Sequence, residues 1–209
     1  MKKLIVIALS ASLLLGLTGC AQTDVVAKTA VTSFVSILDK NSDKIYEEED
    51  GYAFTSPSEL EAFHIGEDIA ISFELAPFVE AGLDIALLPD YIEASDTTIT
   101  IGMKNNEYES SENANEAFAE LVANNRDAIG YHAALDHYGV ALGNGNMFEW
   151  AKDTSTNDKD IVFVLNPQPF IDAGVDVNQV EGWVFAKVET MEDGKKVEVD
   201  KLLKPYDLN

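Results

Sequence analysis

A nine-residue motif that occurs twice, 92 positions apart, constrains this fold more than any other feature of the chain. Pro77-Phe78-Val79-Glu80-Ala81-Gly82-Leu83-Asp84-Ile85 aligns without gaps to Pro169-Phe170-Ile171-Asp172-Ala173-Gly174-Val175-Asp176-Val177, with five identities and four conservative exchanges. The same offset keeps the apolar run 69–73 in step with 161–165. Downstream it pairs Tyr91 with Trp183, Ile92 with Val184 and Ala94 with Ala186. Agreement on both flanks points to an internal duplication covering about residues 69–103 and 161–199.

Each copy has a physical reading. An apolar strand ends at Pro77 or Pro169, because proline cannot donate to a central ladder. One helical turn then ends at Gly82 or Gly174, where glycine supplies a left-handed backbone. Asp84 and Asp176 are placed to cap a second short turn. The first copy continues as a strand from Tyr91 to Ala94, a turn at Ser95-Asp96 and a strand over 97–103. The second continues over 183–190, a turn at Glu192-Asp193-Gly194 and a strand over 196–199.

Between the copies, apolar residues Ala114, Ala117, Phe118, Leu121, Val122 and Ile129 fall on one stripe of a helix over 112–129, capped by Ser110 or Ser111 and ended by Gly130. Residues 131–143 read as extended, Asn144-Gly145-Asn146 as a hairpin turn and 147–152 as the returning strand. Near the amino end, Val31, Phe34, Val35 and Leu38 share a helical face over 24–38, with Asp24 as cap and Lys40-Asn41-Ser42 as stop. Strands clustered in hairpins around one clear helix predict a β-rich α+β fold rather than an alternating parallel sheet. Residues 20–45 form an N-terminal segment with helical potential. Residues 46–209 read as one pseudo-symmetric domain, or as two β-rich lobes (46–110 and 131–209) joined by the helix.

The first residues carry an address. Lys2 and Lys3 precede an uncharged apolar run over 4–17, then small residues and the only cysteine, Cys20. A basic start, an apolar centre and a small-residue processing site form the layout of a secretory signal. The run is too short to span a bilayer comfortably. Leu17-Thr18-Gly19-Cys20 resembles the lipobox of bacterial lipoproteins, which are cut just before the cysteine and acylated on it. The resemblance implies a signal peptide over 1–19, lipid attachment at Cys20, and a place in the cell envelope outside the cytoplasm, anchored to a membrane. It implies nothing about activity. Each buried acyl methylene contributes about 0.8 kcal/mol, so several chains on one residue hold firmly.

Charge narrows the partners. The formal net charge is −23, and removal of Lys2 and Lys3 with the signal takes it to −25. Such a balance repels nucleic acid and anionic membrane surfaces and suits cations, basic ligands or plain solubility. Glu47-Glu48-Glu49-Asp50 is the densest patch, beside Gly51, and reads as an edge or loop.

Signatures of catalysis are scarce. The sequence has no nucleophile elbow, phosphate-cradling loop, dinucleotide fingerprint or zinc spacing, and it implies no cofactor. His132 and His137, five apart, would sit on opposite faces of one strand and so share no ion. Glu80 with Asp84, and Asp172 with Asp176, are the only weak metal candidates, and capping accounts for both aspartates. Tyr91, Trp183 and Trp150 are candidates to line a pocket for a flat ligand, against plain packing. The expectation is a non-catalytic module binding a small molecule or a protein. An exported hydrolase working through paired carboxylates on glycan or cell-wall material, or a structural envelope component with an exposed apolar patch, are the alternatives.

Overall fold

The computed structural model describes residues 19–49, 51–55, 60–66, 68–104, 113–124, 129–132, 137–151, 161–192 and 195–206. Among them the chain is α+β and β-rich, with two antiparallel sheets and four α-helices. The apolar leader, Asp50, Ser110 and Ser111, and the Asp193-Gly194 turn lie outside the described residues.

The first half opens with α1 (Gly19–Lys40) and meanders through β1 (Ile45–Glu48), β2 (Gly51–Thr55), β3 (Ala62–Ile65) and β4 (Asp68–Glu74). It then turns through α2 (Ala76–Glu80) and a 3-10 turn at Ile85–Leu87, and closes with β5 (Ile92–Ala94) and β6 (Thr98–Lys104). The second half runs α3 (Ala114–Asn124), β7 (Ile129–His132), β8 (His137–Gly143), β9 (Asn146–Ala151), β10 (Ile161–Leu165), α4 (Gln168–Asp172), β11 (Val184–Glu192) and β12 (Lys195–Tyr206). Strand order is β1-β2-β3-β4-β6-β5 in one sheet and β7-β8-β9-β10-β12-β11 in the other. In both, the last strand of the half inserts between the fourth and fifth. The matching order includes the helix and three strands upstream of the segment that sequence alone put in register.

Several expectations shift in detail. The clear helix is joined by α1, which starts upstream of Asp24, so Asp24 lies inside a helix rather than at its start. Asn41 closes α1 by donating from Nδ2 to the Ile37 carbonyl at 3.0 Å. Helix α3 is shorter than its apolar stripe suggested. Asn113 caps it, its Oδ1 accepting from the Asn115 amide at 2.9 Å, and its described residues run to Asn124. Ile129 and Gly130 belong to β7 instead. Residues 131–143 contain two strands rather than one, and His132 is register partner to His137 across them, not on the opposite face of a shared strand. The β8–β9 turn has φ of 50° at Asn144 and 81° at Gly145, the pair of positive angles a tight hairpin needs.

The halves are packed crosswise. Phe34 of α1 lies against Phe148 and Trp150 of β9, at 6.0 and 4.9 Å between ring centroids. Phe118 of α3 lies against Phe54 and Phe63 of the first sheet, at 6.2 and 5.6 Å. Each long helix therefore covers the sheet of the other half. Between the sheets, Phe63 stacks on Phe148 at 4.1 Å with an 11° tilt. All these rings are at most 2 % exposed and belong to one apolar cluster.

At the other end the two nine-residue motifs meet. Gly82 (φ 103°) ends α2 and Gly174 (φ 96°) ends α4, each inside a 6→1 bond: Leu83 N–H to Phe78 C=O and Val175 N–H to Phe170 C=O, both 2.9 Å. The turns then bond to one another reciprocally. The Asp84 amide donates to the Ala173 carbonyl at 2.8 Å, and the Asp176 amide donates to the Ala81 carbonyl at 2.9 Å. A Cβ on either glycine would sit 3.0 Å from the other glycine's carbonyl oxygen, so close approach as well as φ excludes a side chain. Phe78 and Phe170 pack behind this joint at 4.9 Å.

Candidate functional site

A groove of about 290 Å³ opens where the halves join. Glu74 ends β4, Ala76 and Pro77 start α2, and Glu80 ends it. Glu181 and Gly182 form the turn into β11, and Lys204 comes from β12. Both halves thus contribute walls. Pro77 suits the first turn of α2, where its missing N–H is unneeded, and so fixes how Glu74 and Glu80 flank the opening.

The charge in the groove is unbalanced. Among the described residues Lys204 is the one cationic wall residue, and its ammonium is paired with Glu61 in a largely buried contact. The same ammonium stands 5.8 Å from the Trp183 ring centroid. Glu74, Glu80 and Glu181 thus face a cavity in which the one positive wall among the described residues is already neutralised. A negative field between low-dielectric walls concentrates cations and repels anions.

The sequence-selected aromatics do not gather there. Trp183 is 8 % exposed and packs edge-on to Phe73 at 5.0 Å and Phe78 at 5.4 Å, behind the groove and inside the core. Trp150 is fully buried among Phe34, Tyr138 and Phe148, in the cluster around α1. Tyr91 is half-buried, and burial pushes its phenol above the usual tyrosine value. The gap-free offset also slips by one residue here. Ile71 and Phe163 occupy equivalent ladder positions, opposite Ile101 and Lys204 respectively; Ile101 in turn faces Ile92, while Val184 faces Leu203. Continuing that register by one residue makes Ile92, not Tyr91, the counterpart of Trp183. Both are buried, which is why packing kept that place apolar.

Of the four acids weighed as metal ligands, only Glu80 lines the groove. Asp84 accepts from the Ala86 amide at 3.1 Å and caps the 3-10 turn. Asp176 accepts from the Asn178 amide at 3.1 Å and from Gln179 Nε2 at 2.7 Å, while Asp172 accepts from Gln168 Nε2 at 2.7 Å. These three hold their own turns. Among the described residues no three ligating side chains converge, and no helix is long and apolar enough to cross a membrane.

Sequence reading missed Glu74, Glu181 and Lys204. Glu181 and Lys204 are separated by a hairpin and Glu74 by half the chain, so only the meeting of the two motifs brings them together. Compared with known proteins, the chain matches no family model, no curated protein and no solved structure.

Proposed function

We propose that this protein is a lipid-anchored binding module of the cell envelope, built by duplication, that takes a small cationic ligand in the groove between its halves. The groove carries the reading: three carboxylates from both halves face a cavity whose lysine is already satisfied by Glu61. The equal strand order and the reciprocal bonds at the glycine joint support the duplication. The order Leu17-Thr18-Gly19-Cys20 supports the anchor. Cys20 lies in the first turn of α1, ten residues before Ala30, which is already fully buried. At 1.5 Å per helical residue the folded body begins about 15 Å from the tether.

Glu80 and Glu181 are exposed, so neither has the desolvated carboxyl that a glycan hydrolase uses as its acid. Val79, Ile85, Leu87 and Ile171 are the exposed apolar residues around the paired motifs, and they are what a docking role in envelope assembly would use. Calorimetric titration of the full chain with a linear polyamine, a divalent cation and a neutral sugar tests the cationic reading. Saturable polyamine binding that weakens with salt, and weakens about tenfold or more in Glu80→Gln/Glu181→Gln as loss of two charge-assisted contacts requires, is the expected result. Equal heats for sugar and polyamine, or binding indifferent to the double substitution, would refute it.

A further inference from the structure

On the outer face of the first sheet, three polar residues from three strands form a chain of hydrogen bonds. Ser72 Oγ on β4 lies 2.8 Å from His64 Nε2 on β3, and His64 Nδ1 lies 3.0 Å from Glu48 Oε2 on β1. The carboxylate only accepts, so in the neutral imidazole Nδ1 carries the ring proton and Nε2 is left as acceptor for the serine hydroxyl. The neighbours make room for this arrangement. Glu48 reaches His64 past Gly51 and Ala53 on β2, and Ala62 and Ala70 are the register partners of Ser72 and His64 on that face. The His64 ring is about a quarter exposed, whereas Ser72 is buried to 7 %. A small outer face can leave His64 free of partners or give it one; here it has two, in the order hydroxyl, imidazole, carboxylate.

We propose that Ser72, His64 and Glu48 form an acyl-transfer site, with Ser72 as nucleophile, His64 as general base and Glu48 as the residue that positions His64. Ser72 Oγ attacks the ester carbonyl carbon while its proton passes to His64 Nε2. The carbon–oxygen bond to the leaving alcohol breaks, and that alcohol takes the proton from the imidazolium. Water, deprotonated by the same nitrogen, then attacks the acyl-serine and releases the acid, restoring the hydroxyl.

The site also sets its substrate. Ser72 is mid-strand, paired with Ala62 on β3 and Thr100 on β6, so the amides around it serve ladders rather than an oxyanion. One missing oxyanion donor costs about 100-fold or more in rate, which restricts the chemistry to esters with good leaving groups and excludes amides. Glu74 follows two residues later on the same face of β4, at the groove wall. An ester with a cationic group would be drawn to that end; this preference, unlike the relay, rests on the ligand reading above.

The test treats the full chain with neutral 4-nitrophenyl acetate and with its trimethylammonium-bearing analogue, and locates the acetyl group by peptide mass spectrometry. Acetyl on Ser72, formed about 100-fold more slowly in His64→Gln, is the result expected for loss of a general base. Glu48→Gln should slow acylation of Ser72 and the conservative Glu48→Asp should restore it, a rescue that a purely structural role would not show. A fluorophosphonate label on Ser72 of the native chain that vanishes in urea gives the same information without any substitution. No acetyl and no phosphonate on Ser72, or acylation unchanged in His64→Gln, would overturn the relay. Acylation of Ser72 at equal rates by both esters would uphold the relay and refute the cationic groove.

Discussion

The inner and outer faces of the two sheets have followed different rules. Inside, the halves agree: Phe63 meets Phe148, Phe78 meets Phe170 and Gly82 meets Gly174. One residue after the stacked phenylalanines, the outward-pointing position holds His64 in the first half and Glu149 in the second. His64 is bound to Ser72 and Glu48 on a face lined with small residues. Glu149 is 2 % exposed, with its stem over Gly139, where a Cβ would lie 2.8 Å from its Cγ, and His137 Nδ1 4.0 Å from its carboxylate. Burial there holds the Lys201 ammonium below the usual lysine range, while Glu149 pulls the other way. Positions that touch the other half are fixed by packing, because a close-packed interior registers even one methylene. Positions that face outward are released from that constraint, and there the two halves differ in chemistry.

The largest test of this contrast is the stacked pair. Phe63→Ala and Phe148→Ala should each lower stability by about 3–5 kcal/mol in urea unfolding, since each opens a cavity in the shared core. The double substitution should show a coupling of about 0.5–3 kcal/mol, as expected for residues in contact. Equal costs would sharpen the match between halves; a cost confined to one would break it. Next come the joint glycines. Gly82→Ala and Gly174→Ala should each cost about 1–3 kcal/mol for a strained backbone, with crowding against the opposite carbonyl added. The thermal midpoint of each variant reads this directly.

Much of the inner face was legible in sequence because a repeated motif states its own turn chemistry. Glycine at a positive φ and aspartate bonded two residues on are local requirements, and both were met where expected. The strands end at Glu74 and Leu165, a few residues before the expected prolines, which sit in the first turns of α2 and α4 instead. The β8–β9 hairpin was legible for the same reason. Long-range matters were not. The crossing of Phe34 to the second sheet and Phe118 to the first depends on which helix finds which stripe, and both stripes are equally apolar. The groove combines Glu74 with Glu181 and Lys204 only because the turns meet. Trp183 looked like a ligand platform because indole suits both roles; one residue of register buried it.

The smallest expected effect separates the outer faces. The Lys201 pKa is lowered on folding, so between that depressed value and 10.5 the unfolded chain binds more protons than the folded one, and stability rises with pH across that window. Lys201→Met removes the titrating group. The difference in thermal midpoint between wild type and this variant should therefore move in favour of the wild type as pH climbs toward 10.5. A difference independent of pH would mean that Lys201 is not desolvated beside Glu149.

Hydrogen exchange at two backbone amides reaches the claim on which the rest depends, that the halves are locked together through their paired turns. Asp84 and Asp176 are exposed residues, yet their N–H groups donate to Ala173 and Ala81 across the joint. Both should exchange only through global unfolding, with closely similar protection, as core strands do. Rapid exchange at either amide, at the rate of an open surface turn, would show that the halves are not joined there and that no shared groove exists.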